Sequence, residues 1–367
     1  MRILFTCRPA YGHLFPLLPL ANAAKAAGHD VVFGTGEAFV PKVRELGFET
    51  HRVGISISEA EAEAQRRHGA EAGFDVGITM FAELLPQATM ADLRPLLPQL
   101  RPELVVYEQS DVGAGALAQQ SGIPAVSLVI GRSVPPEVLS VAAERLAPLW
   151  GRLPADAMLG DACVDVWPDS VRDPGSAAVP KVFRMRPTPY NADVPLPALP
   201  DDGFVYLTLG TVVFGATQVL RGAIAALSRL PLDVLVAVGP GDPAALGPVP
   251  ENVRVAGFVP QAEVLKHAGL VVHHGGTGTV LGSLAAGLPQ LVLPQGADQF
   301  ANAEALSALG AAKALVGDAV RIDAIETAAR ALLDDPAARK VAQRVAAEIA
   351  GMPAPEAVLD ELVAWAS

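Results

Sequence analysis

The sequence predicts an α/β protein built from two doubly wound domains. A buried strand, an amphipathic helix and a second strand follow one another near the N-terminus, as RILFTC, PLLPLANAAKAAG and HDVVFGTG. The same pattern returns from residue 204, as VYLTLG, QVLRGAIAALSRL and DVLVAVGP. Strands that alternate with helices in this way form parallel sheets. The 367 residues also exceed the size at which a single core keeps growing. We therefore expect two Rossmann-like domains that face each other across a central cleft.

Composition narrows the class of protein. Apolar residues make up 51% of the chain and charged residues 18%, which supports two packed cores and argues against disorder. The net charge of −12 disfavours nucleic acids and anionic membranes as partners. Two cysteines cannot form a disulfide framework, and their spacing indicates no zinc site, so a reduced, cytoplasmic protein is expected.

The apolar stretches of the chain predict no export signal and no membrane span. The N-terminal run is interrupted by Arg8, Pro9, Gly12 and His13, and it is therefore interpreted as a strand, a loop and a helix start. Uncharged runs such as 112–131 contain glutamines and a proline, which is typical of buried helix-turn-strand units.

Further strands and a proline-rich connection set the expected domain limits. In the first half the strands are LVVYEQ (104–109) and AVSLVI (125–130), and in the second half VRVAGF (253–258), LVVHHG (270–275) and PQLVLP (289–294). Prolines are concentrated in 186–203. We predict a first domain over 1–190, a linker over 191–203 and a second domain over 204–352, with a terminal helix over 353–367 that can pack back on the first domain.

The segment from His273 to Gln299 contains a glycine-rich turn between a strand and a helix. Glycines follow the strand closely, and Thr277 or Thr279 is placed to cap the helix. Free N–H groups and the positive end of the helix dipole suit a pyrophosphate. Two alternatives remain open on these residues alone: a structural turn, and a dinucleotide fingerprint with Asp298 as the ribose acid, although its glycine spacing does not match that motif.

Three polar segments follow strands that are expected to be parallel. GHLFP comes after the first strand of the first domain, Glu108 stands near the end of another, and HHGGTGT follows a strand of the second domain. Ligands of open parallel sheets bind at the carboxyl ends of the strands. These segments are therefore the candidate parts of a binding site.

The motifs that run from GHLFPLLPLANAAKAAGHDV through RPTPYN and LTLGT to HHGGTGTVLGSLAAGLPQLVLPQGADQFANA resemble those of the GT-B glycosyltransferases of family 1. Within that family the chain looks most similar to bacterial deoxysugar transferases of natural-product and antibiotic biosynthesis, of the calicheamicin or enediyne type. The resemblance implies a GT-B fold and a metal-independent, inverting transfer. The sugar, a deoxysugar, would come from a dTDP- or UDP-sugar, dTDP being favoured, and the acceptor would be a hydroxyl of an apolar small molecule.

The resemblance also implies the catalytic residues. His13 would be the general base that deprotonates the acceptor, a task suited to an imidazole because it titrates near neutrality. Glu108, where many relatives have Asp, would orient His13 and stabilise the imidazolium, and Asp111 is the alternative partner.

The same resemblance places the nucleotide sugar in the second domain. His274 would contact the pyrophosphate, and since adjacent strand residues point to opposite faces, the role of His273 is left open. The residues expected to bind the donor are Thr211, Phe258, Val259, Gln261, His274, Gly276, Thr277, Gly278, Asp298 and Gln299.

The acceptor is expected to lie against Arg8, Tyr11, Phe74 and Phe81 of the first domain. The sequence contains no DxD-type acidic metal motif in a suitable loop, so neither a metal nor a cofactor is expected besides the nucleotide-sugar co-substrate. Self-association into a homodimer is left open. Three other functions are retained: a sugar-nucleotide epimerase, a catalytically silent donor-binding partner of another transferase, and an NAD-dependent dehydrogenase, which the lack of GxGxxG after the first strand disfavours.

Overall fold

The computed structural model describes residues 1–132, 136–150, 160–172, 179, 181–189, 194–200, 203–210 and 217–367. The chain divides into two compact units. The first unit comprises Met1–Val166, Asp173–Met185 and Pro353–Ser367, and the second comprises Trp167–Arg172 and Arg186–Met352. Both units are α/β, as the alternation of strands and helices predicts.

The first unit is built on a parallel sheet of seven strands in the described residues, in the order β3-β2-β1-β4-β5-β6-β7. The strands are β1 (Arg2–Cys7), β2 (Asp30–Thr35), β3 (Glu49–Arg52), β4 (Leu104–Glu108), β5 (Ala125–Leu128), β6 (Ala162–Asp165) and β7 (Val182–Arg184). The helices that connect them are α1 (Tyr11–Leu14), α2 (Leu18–Ala26), α3 (Val40–Glu45), α4 (Ile57–His68), α5 (Gly73–Thr79), α6 (Leu85–Leu100), α7 (Val112–Gln120) and α8 (Pro136–Trp150).

The strand order of the first unit reverses between β1 and β4. These strands are direct neighbours, with Thr6 opposite Tyr107 in their register. The chain leaves β1 toward one side of the sheet and β4 toward the other, so a crevice opens between the two carboxyl-end loops. The short helix α1, which carries His13, therefore lies beside the loop that follows Glu108.

The second unit is built on a parallel sheet of six strands among the described residues, in the order β10-β9-β8-β11-β12-β13. The strands are β8 (Phe204–Thr208), β9 (Val234–Ala237), β10 (Val253–Ala256), β11 (Ala268–His273), β12 (Gln290–Val292) and β13 (Ala312–Ala314). The helices are α9 (Thr217–Leu227), α10 (Gln261–Leu265), α11 (Thr277–Ala285), α12 (Gln299–Leu309), α13 (Ile322–Asp334) and α14 (Pro336–Ala350).

Burial explains which strands the sequence predicts. The central strands are continuous apolar runs because helices cover both faces of each sheet, and residues such as Leu4, Val105 and Val272 are almost fully buried. The strands β3, β6, β7 and β13 are three or four residues long, and β3, β7 and β13 lie at sheet edges. The sequences of these four strands, ETHR, ACVD, VFR and AKA, are not apolar throughout, so hydrophobic periodicity does not identify them.

The part of the proline-rich segment that the structure describes belongs to the second unit. Residues 194–200 of the expected linker belong to the second unit, where Arg254 Nη1 donates to the carbonyl oxygen of Leu199 at 3.1 Å. The terminal helix α15 (Pro355–Ala366) belongs to the first unit. Its Trp365 packs edge-on against Phe183, with ring centroids 6.0 Å apart. No helix within the described ranges has the length and apolar character needed to cross a membrane.

Candidate functional site

His13 and Glu108 form a contact pair in the first unit. His13 lies in α1, just after β1, and Glu108 is the last residue of β4. The His13 Nδ1 atom is 3.0 Å from Glu108 Oε1, and the His13 side chain is 20% exposed while that of Glu108 is fully buried. A ring whose Nδ1–H donates to a carboxylate keeps the lone pair of its neutral form on Nε2. This arrangement can accept a proton at Nε2.

Glu108 is held as a carboxylate by its surroundings. Burial alone would raise its pKa, but the charge of His13, the hydrogen bond from His13 and the charge of Arg8 outweigh burial and lower the pKa to about 2. Ser110 adds two donors: its backbone N–H contacts Oε2 at 2.8 Å, and its hydroxyl contacts Oε1 at 2.6 Å. The group beside His13 is therefore negatively charged at neutral pH.

Asp111 forms its ion pair with Arg8. Its Oδ1 atom lies 3.1 Å from Arg8 Nη1 and accepts a hydrogen bond from the Thr89 hydroxyl at 2.9 Å. Burial raises the pKa of Asp111, and the Arg8 charge opposes that rise. Of the two acids that the sequence offered as partners of His13, the structure brings Glu108 into contact and gives Asp111 a different partner.

The four residues expected at the acceptor differ in their surroundings. Arg8 is only 2% exposed, and its guanidinium points into the unit, so the expectation that it contacts an acceptor is corrected. Tyr11 lies between the rings of Phe15 and Phe39, at centroid distances of 5.2 and 5.1 Å. Phe74 and Phe81 are 57% and 41% exposed and provide apolar surface.

His274 lies between two glycines in the second unit. A Cβ atom on Gly210 or Gly276 would come within 2.5 Å of the His274 ring, so both positions must lack a side chain for the ring to sit there. Burial lowers the pKa of His274 to about 4, which makes the ring neutral at pH 7. Its Nδ1 atom is buried without a hydrogen-bond partner among the described residues. A neutral imidazole in this position can serve as a hydrogen-bond donor to an anion.

His273 has a structural role. Its ring is fully buried, its Nδ1 accepts a hydrogen bond from the Gly275 N–H at 3.0 Å, and its Nε2 lies 2.8 Å from Gln290 Oε1. Burial, followed by the nearby His274, lowers the pKa of His273 to about 3. The question that the sequence left open is answered, because His273 packs inside the unit and fixes the glycine turn.

Helix α11 begins directly after this turn. Gly276 is its N-cap, and no side chain caps it, so the expectation that Thr277 or Thr279 does so is wrong. The Thr277 hydroxyl instead donates to Asp298 at 3.1 Å, and that of Thr279 contacts Gln261 Oε1 at 3.4 Å. The first amides of an α-helix have no acceptor within the helix, so they are available to a ligand.

Asp298 is the N-cap of α12, and Gln299 is the first residue of that helix. Gln299 is 4% exposed, and its Oε1 accepts hydrogen bonds from the backbone N–H groups of Gln295 and Gly296, at 2.8 and 3.1 Å. The amide oxygen of Gln299 is thus used to order the loop. Asp298 follows Ala297, whose φ of 52° is left-handed, a strained conformation for a residue with a side chain. Asp298 is half-buried and accepts a hydrogen bond from the Thr277 hydroxyl.

The remaining predicted donor residues lie after β10. Phe258 is half-buried, Val259 is 7% exposed, and Gln261 starts α10. Thr211 lies outside the described residues.

Sequence reasoning missed three residues of these sites. Ser110 holds the Glu108 carboxylate, Gln290 contacts His273, and Asn302 donates to the Gly275 carbonyl oxygen at 2.9 Å and to Asp298 at 3.2 Å. A serine two residues after an acid at a strand end is a local signal of a side-chain turn. Gln290 and Asn302 act across long sequence separations, so only their unusual polarity within buried elements could have drawn attention to them.

Two family models cover most of the chain. The N-terminal domain of erythromycin biosynthesis protein CIII-like proteins matches residues 22–202, and the C-terminal domain of the same proteins matches residues 221–365. The chain belongs to this family. Its resemblance to bacterial natural-product glycosyltransferases is thereby confirmed.

Individual relatives agree with the family. An L-demethylnoviosyl transferase of Streptomyces niveus is 35% identical over 395 residues, which is 99% of this chain and 98% of that protein. The glycosyltransferase SsfS6 of Streptomyces sp. SF2575, solved in complex with thymidine diphosphate, is 27% identical, has a TM-score of 0.80 and is covered over 99% of both chains. CalG4, the calicheamicin glycosyltransferase, shares the fold at 24% identity and a TM-score of 0.80, over 99% of this chain and 98% of that one.

The family gives the fold of the two units and the reaction class of the whole chain. The two parallel-sheet units have the GT-B fold, and this family member is a nucleotide-sugar-dependent glycosyltransferase. The dinucleotide fingerprint is therefore not the correct interpretation of the glycine run at His273.

Proposed function

We propose that this enzyme inverts the anomeric configuration as it transfers a deoxysugar from a dTDP-sugar to a hydroxyl group of an apolar natural product, with His13 as general base. The observation that carries the proposal is the contact between His13 Nδ1 and Glu108 Oε1, at 3.0 Å. A buried carboxylate behind an imidazole is a recurring arrangement for proton abstraction from a hydroxyl.

His13 acts through its second ring nitrogen. Because Nδ1 faces Glu108, Nε2 takes the proton of the acceptor hydroxyl. The His13 ring becomes an imidazolium, and the negative charge of Glu108 stabilises it. The low pKa of Glu108, about 2, supports this role, since the carboxylate does not take the proton itself at neutral pH.

The sugar is transferred in a single displacement. The acceptor oxygen forms its bond to the anomeric carbon from one face while the bond from that carbon to the diphosphate oxygen breaks on the opposite face. The electron pair of the broken bond leaves with the nucleoside diphosphate, and the proton stays on His13 until it passes to solvent. One displacement of this kind inverts the anomeric centre.

The start of α11 holds the diphosphate. The amides of Gly276, Thr277 and Gly278 and the positive end of the helix dipole favour a dianion there, and the neutral His274 donates from its ring. These donors stabilise the negative charge that develops on the leaving group. Thr211 is also assigned to the phosphates on the sequence motif.

The other donor groups divide between the sugar and the base. Asp298 accepts hydrogen bonds from sugar hydroxyls, and the Gln299 oxygen keeps the loop in shape. The backbone of Val259 with the Phe258 ring and Gln261 surrounds the base. The thymidine diphosphate bound to SsfS6 supports dTDP as the nucleotide.

The acceptor surface is apolar. Phe74 and Phe81 provide exposed aromatic area in the first unit, and Tyr11 lies in the same short helix as His13. A natural product of low polarity that has not yet received its sugar fits these side chains better than a charged acceptor does.

A nucleotide panel followed by a transfer assay tests the proposal. We expect dTDP to raise the melting temperature more than UDP or GDP does, because ligand binding to the folded state stabilises it. With a dTDP-deoxysugar and apolar acceptors, product of inverted configuration should form, and His13→Ala should lower kcat by about 10²- to 10⁴-fold with donor binding retained. Full activity of His13→Ala, retention of configuration, or donor epimerised without an acceptor would each contradict it.

A further inference from the structure

Arg8 is a fully enclosed cation that lies directly after β1. Its Nη1 atom is 3.1 Å from Asp111 Oδ1 and donates to the Thr89 hydroxyl at 2.9 Å. Its Nη2 atom donates to the Ser110 carbonyl oxygen at 3.0 Å, and Thr89 in turn donates to Asp111 at 2.9 Å. One guanidinium thus connects the end of β1, helix α6 and the turn that follows β4.

Stability alone does not account for this arrangement. Taking a guanidinium and a carboxylate out of water costs free energy that their attraction often fails to recover, and apolar replacements of such pairs are frequently as stable. Arg8 and Asp111 are each 2% exposed, so both bear this cost. A buried pair of this kind suggests a requirement for geometry at the place where it lies.

The turn that Arg8 holds is the one that carries the carboxylate of Glu108. The backbone N–H of Asp111 donates to the Glu108 carbonyl oxygen at 2.7 Å, which closes the turn. Within it, Ser110 directs its N–H and its hydroxyl at the two Glu108 oxygens, while its carbonyl oxygen is held by Arg8. The backbone N–H of Arg8 also donates to Glu108 Oε1, at 3.4 Å. Each contact of Arg8 in this region limits where the Glu108 carboxylate can lie.

We propose that Arg8 is a positioning residue for the His13–Glu108 pair, acting through Ser110 and Asp111 and not through contact with either substrate. The proposal rests on the proposed role of His13 as general base. Asp111 supplies the counter-charge that allows a guanidinium to be buried there, and Thr89 fixes the angle between the two groups. Asp111 therefore helps to position Glu108 indirectly, through Arg8.

Arg8→Lys is the central test. A lysine keeps the positive charge beside Asp111 but cannot also bond the Ser110 carbonyl with a planar fork. We expect kcat to fall by about 10- to 100-fold, because small displacements of a catalytic group have effects of that size. KM for the sugar nucleotide should stay within about twofold, because the proposed donor groups belong to the second unit.

Arg184→Lys is the matched control. Arg184 Nη1 forms an ion pair with the buried Asp165 at 2.8 Å, at the ends of β7 and β6 in the same unit. We expect this variant to keep kcat within about twofold. An equal loss of kcat in both variants would show a general effect of weakening the unit and would overturn the assignment of Arg8.

A double-mutant cycle separates positioning from a wider structural role. If Arg8 acts through His13, Arg8→Lys should change the residual rate of His13→Ala by less than about twofold. An undiminished loss in that background, or an unchanged kcat for Arg8→Lys alone, would overturn the proposal. If His13→Ala itself stays fully active, the proposed function fails instead, and the two failures are distinct.

A further variant covers the case in which Arg8→Lys does not fold. Thr89→Val removes the hydroxyl that bridges Arg8 and Asp111 with little change in side-chain shape. We expect a smaller loss of kcat, about three- to tenfold, with the circular dichroism spectrum unchanged and no loss in the His13→Ala background. A folded Thr89→Val enzyme with the parental kcat would count against the network.

Discussion

The Gly275 backbone N–H donates to Nδ1 of His273 at 3.0 Å, and this contact fixes the protonation of the whole ring. A neutral imidazole that accepts at Nδ1 carries its hydrogen on Nε2. That hydrogen is directed at Gln290 Oε1, 2.8 Å away. The turn that precedes α11 is therefore anchored to the interior of the sheet through one neutral histidine.

His273→Ala should weaken both stability and donor binding. The change leaves the Gly275 N–H and the Gln290 amide buried without their partner, so we expect the free energy of unfolding to fall by about 3 kcal/mol. Because the turn loses its anchor, dTDP affinity should fall as well. Urea unfolding and titration calorimetry measure the two effects.

His51→Ala is a suitable control for that experiment. Its ring contacts Glu49 at 2.9 Å with 32% of the side chain exposed, and surface pairs of this kind contribute little. The free energy of unfolding should change by less than about 1 kcal/mol. Parental stability and parental dTDP affinity in His273→Ala would contradict the anchoring role.

Gly276→Ala should impair donor binding through a steric clash. The backbone at Gly276 has φ −64° and ψ 137°, which alanine adopts readily, but the added Cβ would lie 2.5 Å from His274 Nε2. Displacing a packed ring costs about 1–3 kcal/mol. Because bound dTDP requires the His274 ring in place, this cost lowers the affinity for dTDP by about 5- to 150-fold. The dissociation constant for dTDP is the measurement.

The control for that variant is Gly222→Ala, in helix α9 of the same unit, where an added Cβ meets no atom within 4 Å. Alanine in a helix interior should stabilise the protein by about 0.5–1 kcal/mol and leave dTDP affinity unchanged. If the two variants bound dTDP equally well, the close packing of His274 against Gly276 would have no role in the site.

Glu108→Gln should reduce kcat more than Asp111→Asn does. A glutamine has nearly the same shape as Glu108 but no charge to stabilise the imidazolium, so a loss of about 10²- to 10⁴-fold is expected. Asp111 contacts Arg8 rather than His13, so its replacement acts only through the position of the turn. Steady-state kinetics at saturating donor rank the two, and the opposite order would transfer the supporting role to Asp111.

The two adjacent histidines should make the nucleotide-free protein sensitive to acid. Their pKa values, about 3 for His273 and about 4 for His274, lie below the 6.5 of an unperturbed histidine, so the unfolded chain binds these protons first. Their contribution is complete above pH 6.5 and is lost as the pH falls toward about 4 for His274 and about 3 for His273, at up to about 1.4 kcal/mol per pH unit for each ring.

His274→Gln should remove part of that slope. The free energy of unfolding in urea is measured for the parent and the variant at about pH 7.5, about pH 6.0 and about pH 5.0, which span the titration of histidine. The difference in slope between the two proteins is the result. The carboxylates contribute equally to both proteins, so the difference reports His274 together with the part of the His273 shift that the His274 charge causes. Identical slopes for the two proteins would show that the His274 pKa is not lowered.

The sequence by itself determined the architecture and the places where chemistry can occur. Continuous apolar runs mark β1, β4, β8 and β11 because helices cover both faces of a parallel sheet. Glu108 ends β4, and His13 and His274 follow β1 and β11, because order along the chain fixes which residues come at the end of each strand. The strands β3, β6, β7 and β13 were not predicted, since the sequences ETHR, ACVD, VFR and AKA are not apolar throughout and show no strand pattern.

Only the tertiary structure decided which of these residues meet. Glu108 and Asp111 are three residues apart and chemically alike, and packing of β4 beside β1 gives one of them to His13 and the other to Arg8. The contact between His273 and Gln290, which joins β11 to β12, was equally unpredictable from the local pattern. A side chain's hydrogen bonds depend on distances between segments far apart in the chain, and periodicity records only whether a residue faces inward or outward.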